Sequence, residues 1–200
     1  GKPDVLVLQE YTPAWKAALA SALAKDFPFR IERVRTDNFG MAVFARQGWR
    51  RHEDLQLADS GTPQMRFELR LEDQDVVLYA LHLIPPTSRR YAQHRAELAD
   101  LLRRVGHEQR PTVLVGDFNF VDHGALAGAL HERGFHDAHG IAGEGRGATW
   151  PVHSWLRHVP GIRIDHVYVG RGLTSTASWL GSHTGSDHLP VGAEIVLAEE

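Results

Sequence analysis

Runs of apolar residues and spaced apolar residues follow one another along the chain, and each change of period marks a new element. Val5–Leu8 is an unbroken apolar run stopping at Gln9-Glu10, the pattern of a strand buried on both faces whose end carries polar groups to a sheet edge. Thr12-Pro13 reads as a helix cap followed by a first-turn proline. Trp15, Leu19 and Leu23 then recur every four residues, predicting an amphipathic helix over roughly 12–25. Met41–Ala45, Met65–Leu71 and Val76–Leu83 predict strands, the last two joined as an antiparallel hairpin through Glu72-Asp73-Gln74. A second helix is expected from about Tyr91 to Val105, with Leu98, Leu101, Leu102 and Val105 on one face and Gly106 as its stop. Thr112–Val115 reads as another buried strand, running into Gly116-Asp117-Phe118-Asn119. Asp122 is placed to cap a third helix through Leu126 and Leu130 that ends near Gly134. A glycine-rich stretch, Gly140–Gly147, precedes strands at Ile164–Val169, Ala177–Leu180 and Gly192–Leu197.

Strands and helices neither alternate strictly nor segregate. The expectation is therefore one α/β (α+β) domain with mixed sheets flanked by helices, not a doubly wound parallel sheet. The 200 residues contain no repeat and no linker, and 42% hydrophobic content suffices for a core. A net charge of −3 removes bulk positive charge as an argument for nucleic acid, so phosphate recognition has to be local. The absence of cysteine excludes disulfides, thiolate nucleophiles, zinc fingers and iron–sulfur clusters. The longest apolar run inside a strand-like segment, Val76–Leu81, is far short of the ~18 residues a spanning helix needs, so no membrane contact is expected from this chain itself. Of the 13 histidines, His52, His94, His107, His131 and His158 lie among charged neighbours and are expected at the surface.

The chemistry collects at strand ends. Gln9-Glu10, His82, Asp117 with Asn119, and Asp165-His166 each follow or interrupt an apolar strand, and Ser186-Asp187-His188 precedes the last one. Taken singly, Glu10 can merely cap a helix and Asp117 merely hold a turn. Gathered at one sheet edge, acidic groups without matching Lys or Arg make a cation site. In an extended segment Asp117 and Asn119 would point to one side and Phe118 to the other. The carboxylate can then take a proton from water and the amide can donate to a phosphoryl oxygen. Asp187 offers a carboxylate to a metal, His188 an imidazole to phosphate, and Asp165 an acid to orient that imidazole.

The order Leu8-Gln9-Glu10, Gly116-Asp117-Phe118-Asn119, Arg163-Ile164-Asp165-His166 and Ser186-Asp187-His188 resembles the endonuclease/exonuclease/phosphatase superfamily. Gly40–Arg46, His82 and Thr149-Trp150 extend the likeness, which covers Pro3 to Val196. It implies a four-layer α/β/β/α sandwich with two mixed sheets and an active site at one end. It also implies Mg²⁺, with Mn²⁺ as a substitute, held by Glu10 with Asp187. Asp117 would activate water, Asn119 would hold the phosphoryl oxygen, and His188 paired with Asp165 would stabilise the transition state. His82 would contact phosphate or assist the leaving group. Family members usually begin with a further strand carrying an Asn. This chain opens at Gly1-Lys2-Pro3, and Asn38 precedes a different strand, so residues 1–200 are expected to be a single catalytic domain lacking that first strand, with a gap beside Val5–Leu8.

His82-Leu83-Ile84-Pro85-Pro86 and Thr149–Pro151 look most like a bacterial subgroup in which such a domain follows N-terminal membrane helices. That resemblance leaves a cytoplasmic or an extracytoplasmic location open. The expected substrate contacts are Arg89 and Arg90, whose ordinary alternative is a solvated helix start, and Arg163. The loop Ala138–Leu156 would add Arg146, Trp150 and Trp155, and Trp150 can equally stack a base or pack its loop. The favoured function is a Mg²⁺-dependent phosphodiesterase or nuclease acting on a phosphate ester, nucleic acid among the candidates. The alternatives are a phosphatase or phospholipase-type hydrolase on lipid head groups or sugar phosphates, and a catalytically silent binding domain. Intact Glu10, Asp117, Asn119, Asp165 and His188 argue against silence.

Overall fold

The computed structural model describes residues 2–152 and 161–199, so the expectations placed on Trp155, Leu156 and His158 lie outside the described residues. The elements run β1 (Val5–Gln9), α1 (Pro13–Ala24), β2 (Phe29–Arg33), β3 (Met41–Ala45), β4 (Arg51–Leu55), β5 (Gln64–Leu71), β6 (Gln74–His82) and α2 (Tyr91–Gly106). There follow β7 (Thr112–Asp117), α3 (Ala125–His131), β8 (His136–Asp137), α4 (Ala138–Ala142), β9 (Asp165–Val169), β10 (Leu173–Leu180) and β11 (Val191–Leu197).

Six strands form one sheet in the order β4-β5-β6-β7-β9-β8, mixed because β6 and β7 are parallel while its other pairs are antiparallel. On one face Val77, Tyr79, Leu81, Leu114 and Tyr168 pack against Leu98, Leu101 and Leu102 of α2 and Ala127 and Leu130 of α3. The other face meets a second β layer in two antiparallel pieces, β1-β3-β2 and β10-β11. Val5, Val7 and Met41 pack there on Phe67, Leu78 and Ala80, and the β11 side chains Val191, Ala193, Ile195 and Leu197 on Val113, Val167 and Val169. Leu6 and Leu8, on the outer face of β1, pack with Phe44 and with Leu19 and Leu23 of α1. The layers are thus helix, sheet, sheet, helix, as the motif resemblance implied. β6 carries an unbroken apolar run because both of its faces are covered, and each large apolar side chain so buried contributes roughly 1.5–3 kcal/mol. Among the described residues β1 and β11 each pair on one side only.

Thr12 accepts a hydrogen bond from Trp15 N and Pro13 opens α1, as the capping pattern predicts, but Trp15 is 41% exposed and only Leu19 and Leu23 of the stripe reach the core. Asp122 does not cap α3; Gly124 occupies that position, and the Asp122 carboxylate is taken by Arg163 and His123 instead. β4 (RHEDL) escapes sequence reading because it has no apolar alternation, and β2 (FRIER) because its alternation amounts to Phe29 and Ile31 alone, in a largely charged segment. Pairing with β3 and β5 makes them strands, and charged residues suit the exposed edges they occupy. His94 departs from its surface expectation: it is fully buried, with Nδ1 2.6 Å from Ile84 O. No helix of the described residues is long and apolar enough to cross a membrane.

Candidate active site

Strand register assembles the site. His82 pairs laterally with Asp117 across the parallel β6–β7 ladder, and Asp117 with Asp165 across the antiparallel β7–β9 ladder, so the three side chains stand abreast on neighbouring strands. The β6–β7 junction is tight. Gly116 has φ +142°, and a Cβ there would lie 1.9 Å from Leu81 O, so only glycine allows Asp117 to follow. β1 packs against β7, with Gln9 Nε2 reaching Leu81 O at 3.4 Å, and carries Glu10 to the same end. Thr149 ties the remaining pieces together: its hydroxyl accepts from Ile164 N and Asp165 N at 3.2 and 3.3 Å, and its carbonyl accepts from Leu189 N at 2.9 Å. Leu189 adjoins His188, whose own N–H donates to Ser186 Oγ at 3.1 Å. Glu10 and Asn119 both have φ 53°, a left-handed backbone that costs a non-glycine residue about 1–3 kcal/mol and is concentrated at functional sites.

Asp117 and Asn119 do meet, but not by pointing from one extended strand. β7 ends at Asp117, and the left-handed turn at Asn119 folds its side chain back while Phe118 packs in the core. Asn119 N donates to Asp117 Oδ1 at 2.8 Å. Its Nδ2 donates to Asp117 Oδ2 at 3.1 Å and to Leu83 O at 2.9 Å. Both amide protons are therefore engaged, and Asn119 orients the carboxylate instead of presenting a free donor to a phosphoryl oxygen.

His188 Nδ1 donates to Asp165 Oδ2 at 2.8 Å. Burial pulls the His188 pKa down, but the Asp165 hydrogen bond and charge, with Asp117 and Asp187 behind them, outweigh it and carry the pKa to about 9. Asp117 is pushed up to about 7, by burial first and then by the charge of Asp165. His82 is driven down to about 4 by burial; its Nε2 stands 3.6 Å from Asp117 Oδ2, beyond a direct hydrogen bond, and its Nδ1 has no partner. Near pH 7 the site therefore pairs a cationic His188 with a neutral, enclosed His82. Glu10 is raised by burial and then by Asp187.

Burial lifts Glu10 and Asp117 first, and neighbouring carboxylates add to each rise, so negative charge also gathers here. Among the described residues no Lys or Arg forms an ion pair with Glu10, Asp117, Asp165 or Asp187. Asp117, Asp165 and His188 bring potential ligand atoms within 4.8 Å of one another. That set is two carboxylates and one imidazole; Asp187 also lies near enough to Glu10 to raise it by charge, and this second pair of carboxylates offers the all-oxygen donors that fit a hard divalent cation.

The other expected residues divide. Asp187 is exposed, and its Oδ2 accepts from Trp150 Nε1 at 3.2 Å; the Trp150 ring lies 6.4 Å from that of His188. Arg163 turns inward: at 7% exposure it pairs with Asp122 and Asp137, so it braces the site and is not a free cation for substrate. Arg89 and Arg90 are exposed in the turn that opens α2. His166 is also internal, with Nδ1 2.6 Å from Asp137 Oδ2 and Nε2 3.0 Å from Phe120 O. Thr149, which the motif likeness had picked out, proves to be a support; sequence reasoning missed Asp137, Gln64 and Glu97 in that role. Only Glu97 carried a signal, an acid beside Leu98 on the inward stripe of α2.

A search of curated proteins finds no match. Solved structures with the same fold include a functionally unknown conserved protein from Enterococcus faecalis V583 at 18% identity and TM-score 0.76, covering 98% of this chain and 86% of that one. D. rerio TDP2 complexed with a single-strand DNA product matches at 17% identity and TM-score 0.79, covering 97% and 86%. A family protein from Leptotrichia buccalis C-1013-b matches at 19% identity and TM-score 0.75, covering 97% and 88%. The profile that describes the Endonuclease/Exonuclease/phosphatase family matches residues 1–188, nearly the whole chain and all four strand-end motifs, and the chain belongs to that family.

Proposed function

We propose that the protein is a Mg²⁺-dependent phosphoesterase that hydrolyses a phosphodiester, with Mn²⁺ able to substitute. The observation carrying this reading is the lateral row of Asp117 and Asp165 with a cationic His188 held against Asp165. Family membership supports phosphoester hydrolysis, and the D. rerio TDP2 neighbour, complexed with a single-strand DNA product, favours a nucleic-acid ester over a lipid or sugar phosphate.

Glu10 and Asp187 would hold the cation, which supplies charge neutralisation to the phosphoryl oxygens. Asp117, oriented by Asn119, takes a proton from the attacking water. A carboxyl lifted to about 7 is well matched to that task near neutrality. His188, cationic and held by Asp165, donates a hydrogen bond to the negative charge that grows on phosphorus-bound oxygen. His82, with its pKa near 4, is a neutral imidazole at pH 7: its remaining ring N–H can donate a hydrogen bond to phosphate, but it is not an imidazolium acid for a leaving group.

The test is a panel of supercoiled plasmid, abasic duplex, bis-p-nitrophenyl phosphate, sphingomyelin and inositol phosphates, each with Mg²⁺, Mn²⁺ and EDTA. Hydrolysis of a diester that EDTA abolishes is expected; binding without turnover of any substrate returns the silent-domain reading. In calorimetry, Glu10→Gln is expected to weaken Mg²⁺ binding by about tenfold or more, the scale of one lost carboxylate ligand. Equal binding by the parent and the variant removes Glu10 from the metal site.

The open edge of β1 supports reading residues 1–200 as one catalytic domain with room for an additional strand beside Val5–Leu8. A chain extended upstream by an apolar, Asn-containing strand is expected to melt higher and turn over faster. An extension that changes neither removes this part of the reading.

A further inference from the structure

The β5–β6 ladder ends at Met65↔Ala80, and beyond it a side chain takes the place of the strand. Gln64 Nε2 donates to His82 O at 2.8 Å while its Oε1 accepts from His82 N at 2.7 Å. The same Nε2 reaches Thr62 Oγ1 at 3.2 Å, the Thr62 hydroxyl donates to Glu97 Oε1 at 3.1 Å, and Glu97 Oε2 accepts from Ile84 N at 2.7 Å. His94, one turn earlier on α2, bonds Ile84 O. Leu83 N donates to Asp117 O and Leu83 O accepts from Asn119 Nδ2. All six backbone polar groups of His82–Ile84 are thus held, five of them by side chains.

Gln64 and Glu97 are both 0% exposed, and among the described residues Glu97 has no cationic partner. A carboxylate buried without a cation is costly, and an apolar residue beside Leu98 and Leu101 would avoid that cost. The arrangement makes sense through what it holds. We infer that Gln64 and Glu97 are positioning residues which, through the backbone of His82–Ile84, set His82 beside Asp117 and aim the Leu83 carbonyl that anchors Asn119. This rests on the reading of Asp117 as the base that activates water.

The test compares Glu97→Ala, Glu97→Gln and Gln64→Met with the parent in kcat and KM on bis-p-nitrophenyl phosphate with saturating Mg²⁺. The NMR signals of the Asn119 side-chain amide and the His82 ring are read alongside. Glu97→Ala and Gln64→Met are expected to lower kcat by about tenfold or more, with KM changed less than about threefold, and to shift both sets of signals. Glu97→Gln should keep kcat within about threefold, because its oxygen can accept from Ile84 N while its amide donates to Thr62 Oγ1. Should Glu97→Ala fail to fold, Gln64→Met decides. Variants that melt lower yet keep the parent's kcat and signals overturn the inference, as does a Glu97→Gln protein as impaired as Glu97→Ala. If the parent hydrolyses no substrate, the functional reading fails while the NMR comparison still decides the positioning role.

Discussion

Replacing His188 with Ala should lower turnover by roughly 10²–10⁴-fold, the usual range for a positioned acid or base, and abolish the alkaline limb of the pH–rate profile. The limb is expected near pH 9 in the parent, because the Asp165 hydrogen bond and charge outweigh burial and hold His188 protonated up to that pH. Asp165→Asn removes the acid but leaves the desolvation, so the limb should move down toward or below 6.5, the ordinary histidine value. The same pair fixes a stability trend. A folded-state pKa above the unfolded one stabilises fully below about 6.5, and that stabilisation is lost as pH rises through about 9. Melting curves without added metal should therefore show the parent losing its margin over Asp165→Asn across that interval. Mg²⁺ affinity should change little in Asp165→Asn and His188→Ala with Glu10 and Asp187 as the ligands; a marked loss in either variant would instead place the cation among Asp117, Asp165 and His188, whose ligand atoms lie within 4.8 Å of one another. If both variants lose melting temperature and activity together with no movement of the limb, the two residues merely hold the last loop.

Gly116→Ala should be the most damaging added methyl among the described glycines. The new Cβ would lie 1.9 Å from Leu81 O in the parallel β6–β7 ladder, at a φ of +142° that side-chain-bearing residues rarely adopt. Backbone must move on one strand or the other, at a cost of about 3–5 kcal/mol. For a domain of this size that lowers Tm by roughly 8–15 °C. Because Asp117 is the next residue, a displacement of about 1 Å also costs turnover about 10²-fold. Gly61→Ala is the control: its φ is +74°, but nothing lies within 4 Å of the added carbon, so only the backbone preference is lost, about 1 kcal/mol. Thermal melts of both variants separate the two causes, and equal Tm losses would contradict the assignment of the Gly116 effect to contact with Leu81.

The apolar runs of β1, β6, β7 and β9, the stripe of α2 and the Thr12-Pro13 start of α1 were legible in the chain, because hydrophobic burial and capping are local consequences of residue type and spacing. The strand-end motifs likewise placed Glu10, His82, Asp117, Asp165 and His188 in one neighbourhood and the chain in its family. Which groups touch, and in what protonation state, was not legible. The turn at Asn119 engages its amide with Asp117 and Leu83, Arg163 is paired with Asp122 and Asp137, and burial beside Asp117 keeps His82 neutral. β4 lacks any apolar alternation and β2 has only Phe29 and Ile31, and both form strands by pairing with a neighbour that offers unpaired backbone groups. Register, desolvation and cross-strand charge depend on residues as far apart in the chain as Gln9 and Leu81 or Glu10 and Asp187, and only packing brings such partners together; local pattern determined most of the elements, and the tertiary structure decided the chemistry of their ends.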